Sequence, residues 1–178
     1  MDAYPAEEPV SPLRIHQAQS EEDRAAVREL FWEYLQWANG RVNEEFGVNF
    51  DIRSMLENDM ANLHIFSPPD GCLLLASQES SLAGMACMKR LKDRTAEIKR
   101  MYVRPEFRRK GVGRKMVGTL IDEAKKAGYT SIRLDSARFM VGAHALYQSA
   151  GFREIAPYPE SEIPAEFQEH WIFMERDL

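Results

Sequence analysis

The chain has 178 residues, 44% of them hydrophobic and 29% charged, with a formal net charge of −5. That is the composition of one ordinary folded domain, and the negative balance argues against a general nucleic-acid binder. No apolar run is long enough to span a bilayer and no basic-then-apolar leader opens the chain, so a cytoplasmic protein without membrane contact is expected.

Residues 1–12, MDAYPAEEPVSP, are rich in Pro and Glu and lack periodicity, which predicts a disordered leader ahead of a single domain over 13–178. LRIHQA, 13–18, reads as a short strand. Ser20 opens S-E-E-D, a capping-box start, and Val27, Leu30, Phe31, Tyr34, Leu35 and Ala38 recur at helical spacing until Gly40, where the helix is expected to stop. Trp32, Tyr34 and Trp37 on this helix are expected to face the core, with a substrate groove as the other reading. A second, less regular helix is expected over 50–63, and SPPDG, 67–71, is a turn. Strands follow at 72–77, 82–90 and 95–103, joined by short connections that imply an antiparallel meander. Pro105 ends the third. Val112, Met116, Leu120, Ile121 and Ala124 form the apolar stripe of a helix with Lys125 and Lys126 at its C-terminal end and Gly128 beyond. SIRLD, 131–135, is a strand, 142–150 a short helix stopped by Gly151, and 152–156 and 171–176 are closing strands around a proline-containing loop. The order β-α-α-β-β-β-α-β-α-β-β predicts an α+β fold with a central mixed, mostly antiparallel sheet flanked by helices. Cys72 and Cys87 sit in apolar contexts without metal-ligand spacing and are expected to be buried free thiols, with no metal bound.

The charge is uneven. Residues 99–115 hold eight basic residues against Glu106, a local +7 that leaves −12 on the rest of the chain. Within it, FRRKGVGRK (107–115) links a strand to a helix and places Gly111 and Gly113 among the basic residues. The first amides of a helix lack intrahelical partners and carry the positive end of its dipole, so they bind phosphate, and glycine lets phosphate approach the backbone. The pattern is neither G-x-x-x-x-G-K-[ST] nor G-x-G-x-x-G, since Met116 stands where the third glycine would be. What remains is R-x-x-G-x-G, made by Arg108, Gly111 and Gly113; a basic surface turn is the plainer reading of the same residues.

IKRMYVRPEFRRKGVGRKMVGTLIDEAKKAGY followed by ALYQSAGF resembles the GNAT superfamily of acyl-CoA-dependent N-acyltransferases, closely over about residues 72–156. The resemblance implies a single-domain GNAT-like fold and acetyl-CoA as acyl donor, with no metal. It implies that the CoA pyrophosphate is held at Arg108, Arg109, Lys110, Gly111, Val112, Gly113 and Arg114, largely through backbone amides. The main chain of Met101, Tyr102 and Val103 would pair with the pantetheine arm like an added strand. It implies direct attack by an amine on the thioester, with an amide near Val103 polarising the carbonyl and Tyr147 protonating the leaving thiolate. Glu97, alone or through a water chain, would be the general base; strand alternation puts it on one face with Lys99, Met101 and Val103. The sequence departs from the family's pattern at Met140, where an Asn is common seven residues before the tyrosine. His144 is expected to be a partly exposed helix residue, and the scattered His16, His64 and His170 form no triad pattern.

The acceptor is left as an unidentified amine. The acidic stretches 43–46 and 159–169 would attract a cationic amine such as a polyamine or a lysine side chain, but acidic loops also serve solubility. A homodimer is common in the family. Two other readings stay open: a non-catalytic acyl-CoA sensor, which would keep the loop without a working acid, and a nucleic-acid binder using the +7 segment, which the overall charge opposes.

Overall fold

The computed structural model describes residues 12–178, so the leader expected at 1–12 lies, but for its last residue, outside the described residues. Strand β1 (Arg14–Gln17) leads into α1 (Glu21–Phe46). The helix starts where its sequence says: Ser20 Oγ accepts the Asp23 amide at 3.0 Å, and the Asp23 carboxylate accepts the Gln19 and Ser20 amides. Those bonds, Gln19's first, with His16 beside them, hold the Asp23 carboxyl well below its ordinary range.

The helix does not stop at Gly40. It runs on to Phe46 and ends at Gly47, whose φ of 67° supplies the left-handed cap. A mid-helix glycine costs about 1 kcal/mol. Here Val42 is buried beyond it and Phe46 stacks on His170 at 4.2 Å, which offsets that cost. Helix α2 (Ile52–Ala61) follows, shorter than the 50–63 expected, with a 3-10 turn at Leu63–Phe66.

Strands β2 (Cys72–Gln78), β3 (Ser81–Lys92) and β4 (Thr95–Val103) form the antiparallel meander. Helix α3 (Val112–Lys126) crosses to β5 (Ser131–Ala137), and α4 (Val141–Ser149) to β6 (Arg153–Ile155) and β7 (Trp171–Asp177). The sheet order is β1-β2-β3-β4-β5-β7-β6, with β4 and β5 its one parallel pair. Helix α3 covers one face, where Met116, Val117, Leu120 and Ala124 pack on Ala96, Ile98 and Ile132. Helices α1 and α2 cover the other, where Leu30, Phe31, Leu35 and Leu56 pack on Leu75, Met85 and Tyr102.

Two irregularities in β4 position everything that follows. Its pairing with β5 covers Thr95, Ala96 and Glu97 and then stops, so the two strands part. One step further the register with β3 slips: Lys99 lies opposite Cys87 but Tyr102 opposite Met85, and Arg100 has φ 50°. This bulge sets two residues of β4 against one of β3. It breaks the alternation expected from the sequence. Met101 and Val103 join the α3 face, while Lys99 and Arg100, adjacent in sequence, both turn toward α1 and α2.

Candidate active site

Gly111 is the N-cap of α3, with φ 82°, and a Cβ built on it would meet nothing within 4 Å. The first bond of the helix is Lys115 N–H to Gly111 O at 3.0 Å. Among the described residues, the amides of Arg109, Lys110, Gly111, Val112, Gly113 and Arg114 reach no backbone carbonyl, so the turn has an open cradle of donors. Gly113 is different. A Cβ there would stand 3.0 Å from the Leu146 side chain and 3.4 Å from that of Met101, so this glycine lets α3 lie close on β4 and α4. Packing against Leu146 and Met101 thus accounts for Gly113, whereas at Gly111 the Cβ position is open and the backbone φ is what calls for glycine.

The +7 segment also divides. Lys99, Arg100 and Arg104 are held by acids: Lys99 by Asp135, Arg100 by Asp59, Arg104 by Glu29 and Glu33. Arg108 donates from Nε to Val103 O at 2.8 Å and lies over the rings of Trp37 and Tyr102. That contact ties the loop to the end of β4. Arg109 and Arg114 have no carboxylate partner among the described residues and remain available to an anion.

From the same loop the open edge of β4 runs back to the fork. Past Glu97, residues 98–103 have no strand on their β5 side, which leaves an edge able to pair with an extended chain. Tyr147, buried on α4, donates its hydroxyl to Met101 Sδ at 3.4 Å. Burial pushes its pKa above the ordinary 10, and Tyr34 and Asp135 add to the shift, so the phenol keeps its proton at neutral pH.

On the α1 and α2 side of the fork lies a cavity of about 420 Å3. Its apolar end is formed by Val42, Phe50, Ile52, Met55, Ile163 and Trp171, and its polar end by Tyr34, Asp59, Lys99, Arg100, Asp135 and Glu162. Lys99 Nζ donates to Asp135 Oδ2 at 2.9 Å and so bridges β4 and β5 two residues past their last pairing. Burial works to lower the Lys99 pKa, but Asp135, Glu97 and Glu162 overcome it and the net shift is upward. For Glu162, burial opposes ionisation, yet Lys99, Lys89 and Arg100 bring the carboxyl down to about 2.

Glu97 is 0% exposed and lies behind this wall rather than in it. Its Oε1 accepts the Tyr158 hydroxyl at 2.7 Å, and Lys99 and Lys89 stand at 3.5 Å. Oε2 has no hydrogen-bond partner, alone among the buried side-chain polar atoms of the described residues. Burial raises the Glu97 pKa above 4.5, against the pull of Lys99 and Tyr158. Burial thus favours the protonated carboxyl, which does not line the cavity.

Several residues of this site escaped the sequence reading. Tyr34 packs against the core on one side, as expected, and lines the cavity as well. His144 is 8% exposed rather than a surface residue; its ring nitrogen pairs with Ser136 Oγ at 3.1 Å, and burial lowers its pKa. Lys99, Arg100, Asp59 and Asp135 were unassigned. The signal for the first two was present as consecutive charges, Lys-Arg, in a strand with buried neighbours, a pattern that only a bulge accommodates.

Residues 24–152 match the family model described as acetyltransferase (GNAT) family. An uncharacterised N-acetyltransferase of Schizosaccharomyces pombe is 31% identical over 165 residues, covering 86% of this chain and 91% of its own length. The N-acetylaspartate synthetase of Danio rerio is 30% identical over 112 residues, and the match spans 61% of this chain but only 40% of that protein. Among solved structures, a GNAT-family acetyltransferase of Staphylococcus aureus Mu50 superposes with a TM-score of 0.72 at 22% identity, covering 94% of this chain and 99% of that one. The PaiA N-acetyltransferase of Thermoplasma acidophilum, crystallised with coenzyme A, gives 0.71 at 21% identity with the same coverage. No helix among the described residues is long and apolar enough to cross a membrane.

Proposed function

The chain belongs to the acetyltransferase (GNAT) family, as an acetyl-CoA-dependent N-acetyltransferase, and from that premise we propose that it acetylates a primary amine of a small molecule by direct attack. The observation that carries this reading is the fork itself: the anion cradle, the open edge of β4, the Tyr147 hydroxyl and the charged end of the cavity all converge where β4 and β5 part.

The residues present fit CoA. The amides of Arg109, Lys110, Gly111, Val112, Gly113 and Arg114 would hold its pyrophosphate, with Arg108 bracing the turn, and Met101, Tyr102 and Val103 would hold the pantetheine arm. Bound there, acetyl-CoA supplies an activated thioester. An amide of β4 near Val103 polarises its carbonyl. Tyr147 keeps its proton until the sulfur departs and then donates it. Direct attack is supported by the two cysteines, both buried, with burial raising the Cys72 thiol to about 12 and Cys87 higher than its ordinary value. The N-acetylaspartate synthetase named above is, by its name, a protein that makes a small acetylated amino acid, which supports a small acceptor.

Glu97 is the final acceptor of the amine proton, reached through Lys99 or water rather than by contact. Because its pKa is raised, the rate should fall as pH drops through a value above 4.5. The same shift makes Glu97 a stability cost: its contribution is present below 4.5 and is lost as pH rises through the folded pKa. Glu97→Gln is expected to lower kcat about tenfold or more, ~1.4 kcal/mol, and to abolish that acid limb; an unaltered pH profile would remove Glu97 from the proton route. The reaction class is tested by thiol release from acetyl-CoA across an amine panel, with the acetylated product identified by mass. CoA binding without turnover on any amine would instead indicate a sensor.

A further inference from the structure

The polar end of the cavity is built around an arginine held in an unusual way. Without the bulge in β4, strand alternation would send Arg100 to the α3 face. Its left-handed φ of 50°, a conformation that non-glycine residues seldom adopt, brings it to the cavity beside Lys99. Strained backbone of this kind concentrates at ligand sites. Asp59 then fixes the guanidinium, accepting Nε at 2.7 Å and Nη2 at 3.1 Å. Nη1 donates to no acceptor among the described residues. It is not sealed in either, since Glu97 Oε2 is the one buried side-chain polar atom left without a partner. Asp135 mirrors this arrangement: Oδ2 accepts Lys99, while Oδ1 has no donor and is likewise unsealed.

The wall thus offers an anchored donor and an anchored acceptor. The lining holds three carboxyls, Asp59, Asp135 and Glu162, against Lys99 and Arg100, and Lys89, outside the lining, pairs with Glu162. Glu97 lies behind the wall and does not line the cavity. Each lining cation already faces a carboxylate, so the wall has no surplus cation for a dicarboxylate; its open acceptor and open donor complement one ammonium and one carboxylate together. The rest of the lining is mostly apolar and includes Phe50, Ile52, Met55 and Trp171.

We propose that the acceptor is a free α-amino acid with an apolar, aromatic or branched side chain. Its carboxylate binds Arg100 Nη1, its amino group binds Asp135 Oδ1 at the fork, and its side chain occupies the apolar end. The proposal rests on the N-acetyltransferase reading above and gives that reading a substrate class.

The test compares, on the native protein, L-phenylalanine, L-leucine and L-tryptophan with the amines that lack the carboxylate (phenethylamine, isoamylamine, tryptamine) and with L-phenylalaninamide, L-aspartate and spermidine. Thiol release is expected to give each apolar amino acid a kcat/KM at least about tenfold above its amine or amide. Equal or better turnover of the amines, or a preference for aspartate or spermidine, would overturn the proposal. A second arm does not depend on turnover: calorimetric titration of L-phenylalanine and phenethylamine into the CoA-loaded protein. Tighter binding of the amino acid by about tenfold supports the proposal; equal binding, or none, overturns it. Amino-acid binding without thiol release on any acceptor would instead discard the N-acetyltransferase reading while the pocket's class stands. Arg100→Lys keeps the charge facing Asp59 but loses the planar donor edge. It is expected to raise KM for L-phenylalanine more than it lowers kcat, and an unchanged KM in a folded variant would also count against the assignment.

Discussion

Gly111→Val is expected to weaken CoA binding by at least about 100-fold, ~2.7 kcal/mol, in a protein that still folds. Two physical effects act at this position. A β-branched residue is strongly disfavoured at φ 82°, so the turn that aims the amides of 109–114 would rearrange. Its side chain would also project into the space the phosphates need. No protein atom lies within 4 Å of the Cβ position, so the loss cannot come from core packing. The left-handed strain itself costs roughly 1–2 kcal/mol of stability, which a domain of this size tolerates. Gly113→Val gives a different result, because its Cβ would press on Leu146 and Met101 and force α3 away from β4 and α4. That variant should lose thermal stability together with CoA binding. Calorimetric CoA titration and thermal unfolding on both variants separate the cases; native-like CoA affinity in Gly111→Val would mean that the cradle does not hold the cofactor.

Tyr147→Phe is expected to lower kcat about 100-fold, at the lower end of the range for loss of a general acid, while CoA affinity stays native. Phenylalanine keeps the ring, which packs against Phe152 at 5.7 Å, so the fold should be preserved. The hydroxyl it removes donates only to the Met101 thioether, a weak acceptor that stabilises the fold little. Because burial raises the pKa above 10, ionisation of Tyr147 should not limit the native rate below pH 10. A Tyr147→Phe enzyme with native kcat would reduce this tyrosine to a packing residue and move the acid to another group near the fork.

Local signals carried most of the element order. The capping box at Ser20, the stripe on α3 and the glycine-bearing turn before it are each set by neighbours within a few residues, and each stands where the sequence put it. What the sequence did not display depends on distant partners. Gly40 remains helical because Val42 and Phe46 find contacts across the chain, with Phe46 stacked on His170. Arg100 turns against strand alternation because a bulge in β4 and Asp59 on α2, 41 residues away, hold it there. Glu97 is a candidate base through the family resemblance, but its burial behind Lys99 follows from Tyr158 closing over it from the loop before β7. The glycine-bearing turn and the end of β4, to which we assign the cofactor, are contiguous in sequence and so form a local pattern. The cavity that we assign to the acceptor is assembled from α1, α2, the ends of β4 and β5 and residues 162–164 and 171, and no local pattern reports such a meeting.

The central claim is a direct transfer at the β4–β5 fork, with both substrates bound together on opposite sides of it. The initial-velocity pattern tests this most directly: acetyl-CoA varied at several fixed concentrations of an accepted amine, followed by thiol release. Direct attack predicts intersecting double-reciprocal lines and no acetylated protein when acetyl-CoA is supplied alone. Parallel lines, with an acetyl group retained on the chain, would establish a covalent enzyme intermediate and contradict the account.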